Sequence, residues 1–144
     1  MTRPRPPRPV PVPDGLSAPY WEAAAREVLV AARCSRCSAL SVPPDPVCPH
    51  CRSTDPAFTF EPVSGRGVLR SWTIVRQPFL PGFKADVPFV LADVELAEQA
   101  GARMIGRLLD GPDAPLRQGA AVRAAFEDVA PGVRVPAFVL ETGA

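Results

Sequence analysis

The sequence predicts a mainly β protein: a leading helix, a small four-thiolate zinc module and a five-stranded Greek-key barrel. Three observations predict it. The only four cysteines fall as two C-x2-C pairs, Cys34 with Cys37 and Cys48 with Cys51. Five strand-like stretches separated by turn residues follow between Gly67 and Glu141. The one alanine-rich, helix-favouring stretch, Ala18 to Glu27, precedes them all.

The leading segment MTRPRPPRPVPVPD is Pro-rich with Arg3, Arg5 and Arg8, the composition of a disordered or polyproline II tail over residues 1–15. A signal peptide needs an apolar core where these prolines stand, so the expected compartment is the cytoplasm. Ser17 is placed to cap the helix, and Pro19 is tolerated in its first turn. Tyr20 and Trp21 are adjacent and cannot share one core stripe. At least one is expected to reach beyond the helix, to another part of the chain or to a partner. Val28-Leu29-Val30 then turns the chain to strand on its way into Cys34.

Each C-x2-C forms a tight turn presenting two thiolates, and two such turns supply four soft ligands at tetrahedral geometry, which suits Zn²⁺. The ten-residue spacer has room for a short strand, Leu40-Ser41-Val42, and a rigid turn, Pro43-Pro44-Asp45-Pro46. Disulfides belong mainly to small secreted domains, and a redox C-x-x-C normally stands alone beside a βαβ pattern. Four thiolates close the shell, so His50 is left out and the expected metal is structural. Helix and metal module occupy residues 16–62, with a strand near Phe58-Thr59-Phe60.

Residues 63–144 form the barrel domain, with strands at Gly67–Val75, Pro88–Leu96, Arg103–Leu109, Ala121–Val129 and Val133–Glu141. On the second of these Asp93 and Glu95 share one face and Val90, Ala92, Val94 and Leu96 the other. Setting Glu95 opposite Arg103 brings charge to charge and makes the apolar faces coincide, so that register is predicted. The loop Arg76–Val87 is longer than most connections. It bears Phe79, Leu80, Phe83 and Lys84, which either form a contact surface or fold back over the open end of the barrel.

Catalytic chemistry is missing. The single His lies within a cysteine turn, which removes a Ser-His-Asp or Cys-His arrangement. Gly65-Arg66-Gly67 precedes a strand rather than a helix, so it lacks the context of a phosphate loop. No catalytic residue is assigned. The net charge of +1 weighs against a nucleic-acid binder, and no apolar run reaches the length of a membrane span.

Taken together, the chain resembles the DUF35 family, a rubredoxin-like zinc ribbon followed by an OB-fold. The resemblance rests on Tyr20-Trp21-Glu22, Arg33-Cys34-x-x-Cys37, Cys48-Pro49-His50-Cys51, Ser64-Gly65-Arg66-Gly67-Val68-Leu69, Pro88-Phe89-Val90-Leu91-Ala92-Asp93-Val94-Glu95-Leu96 and Gly119-Ala120-Ala121-Val122. Two positions depart from it. Ser38 stands where the family has Gly after the first cysteine pair, which implies strain of about 1 kcal/mol if φ is positive there. Pro44 replaces a common Arg. The resemblance implies a non-catalytic partner of a thiolase-fold protein acting on CoA thioesters, whether an aldolase, a thiolase or an acyltransferase. Tyr20, Trp21, Phe79, Leu80, Phe83 and Lys84 become candidate contacts with that partner or with acyl-CoA. A single-stranded nucleic-acid module and a stand-alone acyl-CoA binder are the alternative readings.

Overall fold

The structure, a computed structural model, describes residues 4–141; Met1 to Arg3 of the expected tail and residues 142–144 of the barrel domain lie outside the described residues. A helix, α1 (Ala18–Ala25), comes first. Ser17 sits at its N-cap, but its hydroxyl accepts no hydrogen bond from the helix. The Asp14 carboxylate takes that place, accepting the Leu16 N–H at 3.1 Å, the Ser17 N–H at 2.7 Å and the Ser17 hydroxyl at 2.7 Å. These donors, the Ser17 N–H foremost, hold its carboxyl below the ordinary range. The helix stops sooner than its alanines suggest. Glu27 turns left-handed at φ 60°, and Val28 N–H returns to the Ala23 carbonyl at 3.0 Å, a Schellman ending without the usual glycine.

Three short antiparallel strands build the ribbon: β1 (Val30–Arg33), β2 (Leu40–Ser41) and β3 (Thr59–Pro62), in the order β2-β1-β3. The barrel follows, from β4 (Arg66–Val75), β5 (Phe89–Leu96), β6 (Arg103–Leu108), β7 (Ala121–Ala130) and β8 (Val133–Leu140). These strands close in the order β4-β5-β6-β8-β7, with β4 pairing back to β7. That is the closed OB-fold barrel, and the fold class is the expected one. Strict alternation marks β5, whose Val90, Val94 and Leu96 face inward, and closure leaves the barrel sheet without a free edge. The seam is a parallel pairing of β6 with β8, Arg107 opposite Ala137 and Leu108 opposite Phe138. Pro136 lies just ahead of those rungs, where its missing N–H breaks no β6–β8 bond.

Glu95 lies opposite Arg103 as expected. The ion pairs, however, are not the straight-across ones. Arg103 reaches diagonally to Asp93, and Glu95 turns to Arg70 on β4. Diagonal neighbours on a twisted sheet are within reach of a long guanidinium. The barrel core is Leu69, Val90, Val94, Leu108, Val122 and Phe138, each at 1% exposure or less. Helix α1 lies against β8, where Arg134 Nη1 donates to the Ala25 carbonyl at 2.5 Å.

Candidate functional site

The ribbon exists to hold two turns face to face. In the first, Ser38 N–H donates to the Cys34 carbonyl at 2.9 Å; in the second, Arg52 N–H donates to the Cys48 carbonyl at 2.9 Å. Each turn needs a left-handed residue after its second cysteine, and Ser38 at φ 66° and Arg52 at φ 64° supply it. Ser38 is thus strained as its departure from the family pattern implied. Arg52 is its twin, and only the symmetry of the two turns signals it. Ser38→Gly should raise stability by about 1 kcal/mol, read as a higher urea midpoint at unchanged slope.

All four sulfurs lie within 4.8 Å of one another, with Cys34 Sγ 3.8 Å from Cys51 Sγ and Cys37 Sγ 3.7 Å from Cys48 Sγ. A tetrahedron with zinc–sulfur bonds of about 2.3 Å has edges of about 3.8 Å, so these spacings fit one zinc ion. They are nearly twice the roughly 2.05 Å of a disulfide. The four cysteines are therefore positioned to bind one metal ion. Backbone N–H groups of Cys51 and His50 point at the Cys48 sulfur and bring its pKa down to about 6. Four thiols at this range cannot all ionise beside one another without a cation among them. Cys34 and Cys48 are buried, while Cys37 and Cys51 reach the surface. His50 points away from the sulfurs, its Nε2 3.0 Å from the Leu40 carbonyl.

Polar clamps around the turns carry no periodic signal and were not legible in the sequence. Arg33 grips Glu61 on β3 through Nε at 2.9 Å and Nη2 at 2.5 Å, and its Nη1 donates to the Ser38 carbonyl at 2.6 Å. It thereby pins the strained turn to the sheet. Ser35 donates its hydroxyl to the Pro56 carbonyl at 2.7 Å, and Arg36 pairs with Asp55 at 3.0 Å. Gln99, in the β5–β6 turn of the barrel, uses both ends of its amide on Leu40 of β2, at 2.8 and 3.0 Å. That side chain acts as one rung of an added strand and fixes the ribbon to the barrel.

The expected contact residues divide. Tyr20 is 4% exposed, with burial raising its pKa to about 12. Trp21 is half-buried, edge-on to Tyr20 at 4.8 Å and packed on the same core. The reach beyond the helix is therefore made within the chain. In the β4–β5 loop, the 3-10 turn Pro81–Phe83 separates two environments. Phe79 is 94% and Leu80 49% exposed, Phe83 turns in to Phe89 at 5.9 Å, and Lys84 is exposed. The loop tip projects, and its root folds back onto Phe89. The helix pair and the loop tip do not converge on one site.

Comparison with known proteins adds the following. Residues 21–57 match the family described as "ChsH2, rubredoxin-like zinc ribbon domain", and residues 60–127 match "ChsH2, C-terminal OB-fold domain". A "Probable enoyl-CoA hydratase alpha subunit" of Thermomonospora curvata is 32% identical over 136 residues, 94% of this chain and 41% of that protein. The chain thus spans less than half of that relative's length. A "DUF35 domain-containing scaffold protein" of Methanocaldococcus jannaschii is 30% identical over 104 residues, 72% of this chain and 71% of that one. Among solved structures, a chain of an "Ltp2-ChsH2(DUF35) aldolase" superposes with a TM-score of 0.74 at 32% identity, over 90% of this chain and 98% of its own.

Proposed function

We infer the function from one premise: this chain belongs to the DUF35 family. The protein is a non-catalytic, cytoplasmic accessory subunit that assembles with a thiolase-fold enzyme acting on CoA thioesters. The partner breaks or makes the carbon–carbon or acyl bond. Cys34, Cys37, Cys48 and Cys51 hold a structural zinc ion, whose closed shell leaves no position for substrate. The observation that carries this reading is the likeness, over nearly the whole of its length, to a chain of the Ltp2-ChsH2(DUF35) aldolase. It is supported by the projecting Phe79 and Leu80, which an aqueous monomer gains nothing by displaying. Among the described residues, no helix is long and apolar enough to cross a membrane.

The face on which OB-folds take single strands, formed here by β5 and β6, gives the nucleic-acid alternative no support. Arg103 is paired with Asp93, and Arg107 with Asp86 at 3.2 Å and Glu127 at 3.5 Å, so these cations are already neutralised.

Co-expression with a thiolase-fold partner from the same genome should give one co-eluting complex. Phe79→Glu with Leu80→Glu should abolish co-elution, because two desolvated carboxylates would face an apolar seat, while zinc content stays at one per chain. Separate elution of the wild-type proteins, with partner activity indifferent to this chain, would refute the assignment.

A further inference from the structure

Residues 4–13 of the Pro/Arg-rich segment, without helix or strand, lie along the barrel. Arg5 pairs with Asp86. Arg8 pairs with Glu127 at 3.3 Å and stacks over the Phe83 ring at 5.2 Å. Arg107 binds both acids from the barrel side and stacks over Phe89 at 4.6 Å. Gly82 allows the approach, since a Cβ there would meet the Pro7 carbonyl and lie 2.8 Å from the Arg8 Cα.

Arg5 is 54% exposed, but the other groups are mostly out of solvent, with side-chain exposures of 12% for Asp86, 16% for Glu127, 17% for Arg107 and 18% for Arg8. Pairs so placed are screened less than surface pairs. Without the segment, two carboxylates would face the one guanidinium of Arg107, leaving one negative charge unmatched. An arginine is the side chain that such a place accepts.

The fit is incomplete in a telling way. The segment spans a groove of about 590 Å³ that it helps to line instead of filling it. Arg8 Nε is buried with no hydrogen-bond partner, which costs part of what the ion pair returns. Prolines keep the bound form extended, so little chain entropy is lost on docking or gained on release.

We propose that residues 4–9 are a displaceable strap, and that the acid pair they cover, Asp86 and Glu127 beside Arg107 and Phe83, is a binding site for arginine on a proline-rich extended segment, occupied in cis by Arg5 and Arg8. Three of the strap's contacts, at Gly82, Phe83 and Asp86, fall on the loop that displays Phe79 and Leu80. Strap release therefore frees that loop. This consequence for docking rests on the accessory-subunit reading, whereas the arginine site does not.

The test uses the isolated full-length chain and no partner. A fluorescent peptide with the sequence of residues 4–13, PRPPRPVPVP, is titrated into wild type and into Arg5→Glu/Arg8→Glu, in which the strap is repelled by Asp86 and Glu127. The released variant should bind the peptide at least tenfold more tightly than wild type, and adding Glu127→Gln should remove the gain. Backbone amides at Phe83, Lys84 and Asp86, which are hydrogen-bonded within the loop, should exchange faster in the released variant by hydrogen exchange. Equal peptide affinity for wild type and variant, whether strong or absent, overturns the site; unchanged loop exchange overturns the strap. Arg8→Gln provides a milder release with the same expected direction should the double charge reversal disturb folding.

Discussion

Replacing Cys48 with Ser should empty the metal centre and unfold the ribbon. Apart from the metal, the ribbon has short strands of four, two and four residues, the clamps from Arg33 and Gln99, and Leu29, Val30, Leu40 and Val42, which join the core of the barrel. A sheet that size does not offset its own chain entropy, whereas structural zinc contributes on the order of 10 kcal/mol or more. Cys48 is fully buried, and the backbone N–H groups of Cys51 and His50 favour its thiolate. Serine's hydroxyl is shorter, harder and not ionised at neutral pH. Zinc content should fall from one per chain to well under a tenth, with loss of amide protection across residues 30–62. The barrel should keep its protection, since its ladders close on themselves. Retention of a full equivalent of zinc by Cys48→Ser, or a ribbon that stays protected in excess chelator, would show that something other than four thiolates holds it.

Phe138→Ala should be the most damaging change in the barrel. Phe138 is a fully buried side chain at the parallel β6–β8 seam. Its ring lies over Gly106 so closely that a Cβ there would stand 2.8 Å from Phe138 Cδ2. The two residues are one packing unit, a large side chain seated on a missing one. Truncating the ring removes its transfer energy and leaves a cavity, a loss of about 3–5 kcal/mol. Against a domain stability of roughly 5–15 kcal/mol, that is a large fraction, and urea denaturation followed by tryptophan fluorescence should show it. Gly106→Ala should be harmful in wild type and much less so in Phe138→Ala, because the two sites share the same space. A loss below 1 kcal/mol for Phe138→Ala would mean that the seam closes without this ring.

The parts of this molecule that announce themselves in sequence are those with a period or a fixed spacing. Alternation across Phe89–Leu96 gives its inward face and its register with Arg103–Leu108. Cysteine spacing gives the metal centre, and the strain at Ser38 follows from the resemblance to a family with Gly there. What stays hidden is made by single side chains reaching across long separations. Nothing near Gln99 says that its amide will splint Leu40, nor does anything near Arg33 name Glu61. Arg5 and Arg8 look like solvated charges until Asp86 and Glu127 are placed beneath them. The helix cap misleads for a related reason, since Asp14 and Ser17 are both good cap residues and only the geometry decides between them.

The position of β8 has a consequence for how the chain is made. It lies between β6 and β7 in the closed ring and gives α1 its seat. During synthesis the ribbon, contiguous from Val30 to Pro62, can take up its metal while the rest is still emerging from the ribosome. The barrel cannot shut until residues 133–140 are clear of the exit tunnel. Helix α1, translated ahead of β1 to β8, is then among the last to find its place.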